Sequence, residues 1–106
     1  MRQFGVYRNL DEATRPLYPL LVNVQSDLIA ETGTRVVVPM APVIAGRHPP
    51  PISSLVPVLQ VGGNPHVLVV PLLAAVDLAA MGPLESDLSG ERTAIMAALD
   101  MLISGI

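Results

Sequence analysis

The placement of proline constrains most strongly how this chain can fold. Residues 48–76 contain no aspartate, glutamate, lysine or arginine, yet Gly62, Gly63 and six prolines interrupt them. Proline has no backbone N–H and breaks the interior of a helix, whereas a membrane-spanning helix must satisfy its own backbone over about 20 residues. The six prolines are Pro49, Pro50, Pro51, Pro57, Pro65 and Pro71. This apolar stretch therefore predicts loops and short strands, and we expect no contact with a membrane.

The composition predicts one domain with apolar surface to spare. The 106 residues suffice for a single domain, which we expect to cover residues 1–106. Hydrophobic residues make up 51% of the chain, which excludes a disordered tail. Charged residues make up 14%, against about 25% in ordinary domains. We expect a second copy of the chain to cover the remaining apolar surface, forming a homodimer.

Charge and cysteine content exclude several classes of function. The formal net charge is -3, and the six basic residues are arginines scattered along the chain. They form no patch that could neutralise a row of phosphates, so direct binding of nucleic acid is disfavoured. The absence of cysteine excludes disulfides, thiolate catalysis and cysteine-type zinc sites. It also fits a reducing cytoplasm, where we expect the protein to act.

Alternating apolar residues between turn-forming residues predict a mainly β fold. We expect Pro39 at a sheet edge or a strand end, because it cannot donate to a ladder. A turn is expected at residues 31–33, where Gly33 is free to take a positive φ, and residues 62–65 are expected to form a hairpin turn. The predicted strands are residues 3–8, with Phe4 and Val6 on one face, and residues 20–26, 35–40, 55–61 and 66–70.

The remaining segments predict loops and one helix. Residues 9–19 and 42–54 are expected to be loops, with a polyproline II piece at 49–51. Residues 72–81 are ambiguous, because leucine and alanine favour a helix but the flanking Pro71 and Gly82-Pro83 leave little room for one.

A helix is expected at the C-terminal end. Ser89 can cap it, Glu91 lies in its first turn, and Gly105 can end it. Its apolar residues recur at helical spacing and are expected to face the core. They are Ile95, Ala98, Leu99, Leu102 and Ile103.

Few residues could carry catalysis. His48 and His66 have neither an acidic nor a second histidine neighbour at ligand spacing, so we expect no metal site and no cofactor. Glu85, Asp87 and Glu91 cluster before the helix, where a catalytic carboxylate pair is one interpretation and the helix dipole is the favoured one.

Two further acids stand in other contexts. Asp77, the one acid in an apolar stretch, is expected at a solvent-facing strand position, the alternative being a functional group. Ser26 beside Asp27 indicates turn or capping chemistry. No dense polar constellation occurs, so the chain is predicted to bind rather than to catalyse.

One block of residues resembles a known family. Residues 22–29 (Val-Asn-Val-Gln-Ser-Asp-Leu-Ile) are similar to the Val-Asp-Val-Gln-Ser-Asp-Ile-Ile stretch of the CcdB toxins. These are the plasmid-addiction and chromosomal toxins of bacterial type II toxin–antitoxin modules. Residues 3–7, 33–41, 55–62, 87–89 and 105–106 resemble further family segments in the same order.

The resemblance implies a fold and a function. The fold would be an SH3-like, barrel-type antiparallel β structure with one C-terminal helix at a homodimer interface. Family members are not enzymes: they poison DNA gyrase by wedging the dimer's C-termini into its A subunit. A CcdA-like antitoxin neutralises the toxin, and the complex represses its own operon. The antitoxin supplies the DNA contacts, so DNA would be only an indirect partner.

The resemblance also implies a gyrase-binding site with several departures. The family's terminal Trp-Gly-Ile corresponds to Ser104, Gly105 and Ile106, its preceding phenylalanine to Ile103, and a helical asparagine to Asp100. Leu28 and Ile29 match an Ile-Ile pair tied to toxicity. Residue pattern alone would instead assign Leu28 and Ile29 to the core, and the helix end to packing.

The missing tryptophan leaves alternatives open, because serine cannot replace its stacking. One is an attenuated or retargeted homologue that binds antitoxin without poisoning gyrase. Another is a small nuclease-like toxin on a related barrel, which would need a carboxylate or histidine cluster.

Overall fold

A computed structural model of the chain describes residues 1–29, 32–44 and 54–105. Within these ranges it contains seven strands and one α-helix, which confirms a mainly β fold with a C-terminal helix. The strands are β1 (Gly5–Asn9), β2 (Leu20–Asn23), β3 (Thr34–Pro42), β4 (Val58–Val61), β5 (Asn64–Leu68), β6 (Ala74–Asp77) and β7 (Met81–Asp87). The helix is α1 (Arg92–Ser104), and single 3₁₀ turns occupy Val70–Leu72, Leu78–Ala80 and Ser89–Glu91.

All the strand pairs are antiparallel and belong to one curled sheet. Its order is β4-β5-β3-β2-β1-β7, and β6 also pairs with β3. β2 runs along one side of β3, while β6 covers residues 34–37 on the other side and β5 covers residues 40–42. This change of partner along β3 lets the sheet curl into a half-barrel, as the resemblance to the CcdB toxins implied.

Pro39 lies inside β3, so the expected place at an edge or a strand end is wrong. It is paired with Leu21 of β2, and its carbonyl accepts a hydrogen bond from the N–H of Val69 at 2.9 Å. The N–H and C=O of an antiparallel strand residue point to the same side. The missing donor of Pro39 therefore faces the gap between β6 and β5, where it interrupts no ladder.

The main core lies between α1 and one face of the sheet. Phe4 and Val6 are both buried in it, which confirms that they share a face. The helix contributes Ile95, Ala98 and Leu99 to this core, whereas Leu102 and Ile103 do not pack into it. The core residues are Phe4, Val6, Val22, Val38, Met40, Leu59, Val61, Leu68, Val70, Leu88, Ile95, Ala98 and Leu99.

The turn between β4 and β5 confirms the predicted hairpin. Gly62 and Gly63 have φ values of 60° and 82° and join β4 to β5 in the predicted hairpin. Gly33 does not use the positive φ that is open to a glycine. The strand predicted at 20–26 ends at Asn23, because the following side chains form a turn. The strand predicted at 55–61 begins only at Val58, after Pro57.

The ambiguous segment and the helix ends are set by local contacts. Within residues 72–81, pairing with β3 makes β6 a strand against its helical propensity, with 3₁₀ turns on both sides. Gly105 ends α1 as predicted, with φ 75° and its N–H on the carbonyl of Met101 at 3.0 Å. Ser89 is not the cap: its N–H donates to Asp87 Oδ1 at 2.7 Å. Glu91 lies in the 3₁₀ turn that leads into the helix.

Candidate target-binding surface

The turn at residues 24–29, the signature turn, is held by its own polar side chains. Gln25 Oε1 accepts from the N–H of Val36 at 3.0 Å, and Gln25 Nε2 donates to the carbonyl of Ile29. Ser26 Oγ accepts from the N–H of Leu28 at 3.1 Å, which confirms its predicted turn chemistry. The carbonyl of Ser26 accepts from the N–H of Ile29, also at 3.1 Å.

This hydrogen bonding leaves two apolar side chains in solvent. Leu28 is 90% exposed and Ile29 is 53% exposed, so the assignment of these residues to the core is wrong. Their backbone is fixed while their side chains are free. An apolar pair presented in this way suits contact with another protein.

The end of α1 forms a second exposed apolar surface. Ile103 is 79% exposed, and Asp100, Ser104 and Gly105 are exposed beside it. The hydroxyl of Ser104 donates to the carbonyl of Asp100 at 2.7 Å. Ile106 lies outside the described residues.

The two surfaces are anchored at opposite ends of the helix. The signature turn is fastened through Asp27 to Gln3, and Arg92 Nη1 donates to Gln3 Oε1 at 3.4 Å. Arg92 is the first residue of α1, whereas Ile103 lies eleven residues later. That separation is about 17 Å at 1.5 Å per residue. The hydrogen bonds therefore tie the signature turn to the start of α1 and not to its end.

Two of the three acids before the helix, Glu85 and Asp87, form ion pairs. Arg8 contacts Glu85 through Nη2 at 2.5 Å and Nε at 2.9 Å, and Arg2 Nη1 contacts Asp87 at 3.0 Å. The pKa of Asp87 is lowered, chiefly by the backbone N–H of Ser89, then by the Ser89 hydroxyl and by Arg2. A general acid needs a raised pKa. The arrangement of Asp87 therefore suits a structural carboxylate that holds the turn before α1.

The other candidate chemical groups lie apart from one another. His66 Nδ1 lies 2.9 Å from the carbonyl oxygen of Asn64, and His48 is outside the described residues. Asp77 is exposed, as predicted, and accepts from the N–H of Ala79 at 3.0 Å. Across residues 1–29, 32–44 and 54–105, no three metal-ligating side chains come together. No helix in these ranges is long and apolar enough to cross a membrane.

Comparison with known families identifies the family of the chain. The family model described as CcdB protein matches residues 3–105. The chain belongs to the CcdB family. Membership in this family supports a general role as the toxin of a toxin–antitoxin module that acts on DNA gyrase. The CcdB family consists of gyrase poisons that are not known as enzymes.

Within this CcdB fold, sequence reasoning missed a groove on the sheet face turned away from α1. Neighbouring strand residues point to opposite faces, so Val22 and Val38 meet α1 while Leu21 and Val37 face the groove. Its volume is about 270 Å³. The alternation of apolar residues in β2 and β3 was the available signal. The lining residues are Asn9, Asp11, Thr14, Tyr18, Leu21, Val37, Pro39, Leu72, Ala74, Val76 and Ala80.

The wall of this groove is polar and rigid on one side. Asn9 is buried, and its Nδ2 donates to Thr14 Oγ1 at 3.0 Å and to the carbonyl of Tyr18 at 2.8 Å. Asn9 Oδ1 accepts from the N–H of Asp11 at 2.9 Å. These bonds give the 9–19 loop of the CcdB fold a defined shape.

Proposed function

We propose that this chain acts as a homodimer that binds the A subunit of DNA gyrase through the signature turn and the end of α1. The exposed apolar side chains of Leu28 and Ile103 carry this proposal. Interfaces derive most of their energy from a few residues that lose all their water on binding. The residues proposed to contact gyrase are Leu28, Ile29, Asp100, Ile103, Ser104, Gly105 and Ile106.

The proposed homodimer rests on the amount of apolar surface left uncovered. Among the described residues, large apolar side chains remain exposed on several elements besides the signature turn and α1. A symmetric dimer buries such surface against itself. The exposed residues outside the proposed gyrase contacts are Met1, Leu10, Leu17, Ile44, Val58, Leu72, Leu84 and Leu102.

The proposal includes a CcdA-like antitoxin as the second partner. It would neutralise the toxin and supply the DNA contacts when the complex represses its operon, in a module that maintains a plasmid. The net charge of -3 and the scattered arginines support this division of labour, because such a chain attracts phosphates poorly. Gyrase acts in the cytoplasm, and we place the toxin there with it.

Expression in bacteria tests the proposal directly. Induction of the chain should arrest growth, and co-expression of the antitoxin or a resistant gyrase A subunit should restore it. Purified protein should bind the gyrase A subunit, and light scattering should give twice the 11.2 kDa of one chain. If the chain neither arrests growth nor binds the gyrase A subunit, the gyrase assignment is wrong. If light scattering gives the mass of a monomer, the proposed homodimer is wrong.

One observation favours a second candidate, an attenuated or retargeted homologue. The family tryptophan is replaced by Ser104, whose hydroxyl turns back onto α1 and offers no stacking surface. This homologue would bind and sequester the antitoxin without poisoning gyrase. Antitoxin binding at full strength without growth arrest would identify it.

A further inference from the structure

Gln3 fastens the signature turn to the first strand. Its backbone N–H donates to Asp27 Oδ1 at 2.8 Å, and its side-chain Nε2 donates to the carbonyl of Val24 at 3.1 Å. Asn23 Nδ2 adds a third bond, to the carbonyl of Arg2 at 2.9 Å. Residues 2 and 3 are therefore hydrogen-bonded to residues 23, 24 and 27, which lie more than twenty positions later in the sequence.

The same short segment, residues 2–4, also grips the start of α1. Gln3 Oε1 accepts from Arg92 Nη1 at 3.4 Å, and the Arg92 guanidinium lies 5.4 Å from the ring centre of Phe4. The carbonyl of Phe4 accepts from the N–H of Leu88 at 2.8 Å. Gln3 thus uses its amide nitrogen on the turn and its amide oxygen on the helix.

Phe4 shows that this arrangement is held against a conformational preference. Its φ is 65°, a left-handed value that residues with a side chain rarely adopt, and the residue is 2% exposed. Its N–H donates to the carbonyl of Asn23 at 2.5 Å. Such a conformation persists only where the surrounding contacts over-determine it, and it is found at sites where geometry serves binding.

We propose that Gln3 is a positioning residue that couples the signature turn to α1 and presents Leu28 and Ile29 to the target in a fixed orientation. The inference rests on the proposed binding of gyrase. A turn that is ordered before the encounter loses less conformational entropy on binding. Gln3 acts through Val24 and Asp27, and its contribution is separate from that of the side chains that touch the partner.

The affinity test compares two glutamine-to-alanine variants. Gln3→Ala should weaken binding of the dimer to the purified gyrase A subunit about fivefold, the cost of ordering the turn on binding. Gln60→Ala, at an exposed glutamine on β4, is the matched control and should bind like the wild type. Equal affinity of Gln3→Ala and Gln60→Ala overturns the proposal.

Asp27 supplies the rescue and the test of coupling. Asp27→Asn keeps an oxygen for the N–H of Gln3 and should bind nearly as well as the wild type, whereas Asp27→Ala should bind weakly. Gln3→Ala removes the side-chain bond to Val24, and Asp27→Ala removes the bond to the backbone N–H of Gln3. Because the proposal requires both bonds to hold the turn, loss of either one releases it, and the Gln3→Ala/Asp27→Ala double variant should bind about as weakly as either single variant. Losses that multiply contradict a shared fastening.

Motion of the turn is measured without gyrase. In Gln3→Ala, the NMR order parameters of the Leu28 and Ile29 amides should fall, while those of Val22 and Val38 in the core stay high. Unchanged order parameters at Leu28 and Ile29 overturn the proposal. If the wild type binds no gyrase, the proposed function fails, and the order parameters alone decide whether Gln3 holds the turn.

Discussion

The hydroxyl of Ser104 donates a hydrogen bond of 2.7 Å to the carbonyl of Asp100, one turn earlier in α1. This is the back-bond that a helical serine makes to the carbonyl four residues earlier, which already accepts within the helix. It also keeps the side chain close to the helix, so that Ile103 is the prominent apolar group there. In the CcdB family the corresponding position carries the tryptophan that would stack on gyrase. The helix end is thus intact as a structure but lacks its largest anchor.

Restoring the aromatic anchor should restore affinity. Ser104→Trp is expected to tighten binding to the gyrase A subunit by about 2 kcal/mol, the typical weight of an aromatic hot spot. Isothermal titration measures the change, and Gln60→Trp, at an exposed glutamine on β4, controls for general adhesiveness. Equal affinities for Ser104→Trp and the wild type would show that the interface does not involve this position.

Gyrase binding should be weakened by a charge introduced into either the signature turn or the helix end. Leu28→Asp and Ile103→Asp are each expected to weaken gyrase binding at least about tenfold, because a carboxylate would be buried without a partner. Both sites are exposed, so the free energy of unfolding should change by less than about 0.5 kcal/mol. Gln60→Asp, at an exposed glutamine on β4, is the control and should bind normally. Undiminished binding by both test variants would contradict the proposed surface.

The alternation of side chains made most of the sheet predictable from the sequence. Strands β1 to β5 were found because their apolar residues alternate between turn-forming residues. β6 was not resolved, because its alanines favour a helix and only the pairing with β3 makes it a strand. Pro39 was misplaced for a related reason. Its missing N–H is tolerated because it faces the gap between β6 and β5, which both pair with the same side of β3. The sequence gives no sign of that gap.

The candidate site was less predictable, because it depends on exposure. Residue pattern alone places Leu28 and Ile29 in a core, since apolar pairs are usually buried. Their exposure arises from the hydrogen bonds of Gln25 and Ser26, which end β2 early and turn the chain outward. The resemblance to the CcdB toxins singled out this pair, whereas periodicity could not.

Two isoleucines of α1 separate stability from binding. Ile95 is fully buried, so Ile95→Ala should lower the free energy of unfolding by about 2–5 kcal/mol through lost burial and an unfilled cavity. Ile103→Ala deletes the same atoms from a side chain that is exposed to solvent, so the free energy of unfolding should stay nearly unchanged. Urea unfolding of both variants makes the comparison. Similar destabilisation by the two changes would mean that Ile103 is packed in solution.

The carboxylate of Asp87 should make the free energy of unfolding depend on pH. Its folded pKa lies below the ordinary value of 3.8, so the carboxylate stabilises the fold above that value. The contribution is lost as the pH falls through the lower pKa of the folded chain. Asp87→Asn should therefore be less stable than the wild type at pH 7, and the difference should narrow on acidification. Urea midpoints measured across this range test it, and parallel curves would contradict the assigned role.

The last prediction compares two glycines, Gly63 and Gly33, that differ in backbone conformation. Gly63 has φ 82° in the β4–β5 hairpin, with open space around it, so Gly63→Ala should cost about 1–2 kcal/mol through backbone strain alone. Gly33 has equal space and no positive φ. Gly33→Ala should therefore be neutral, or stabilising by up to about 1 kcal/mol, because alanine restricts the unfolded chain. Urea unfolding distinguishes the two, and a loss at Gly33 equal to that at Gly63 would show that Gly33 needs the left-handed conformation after all.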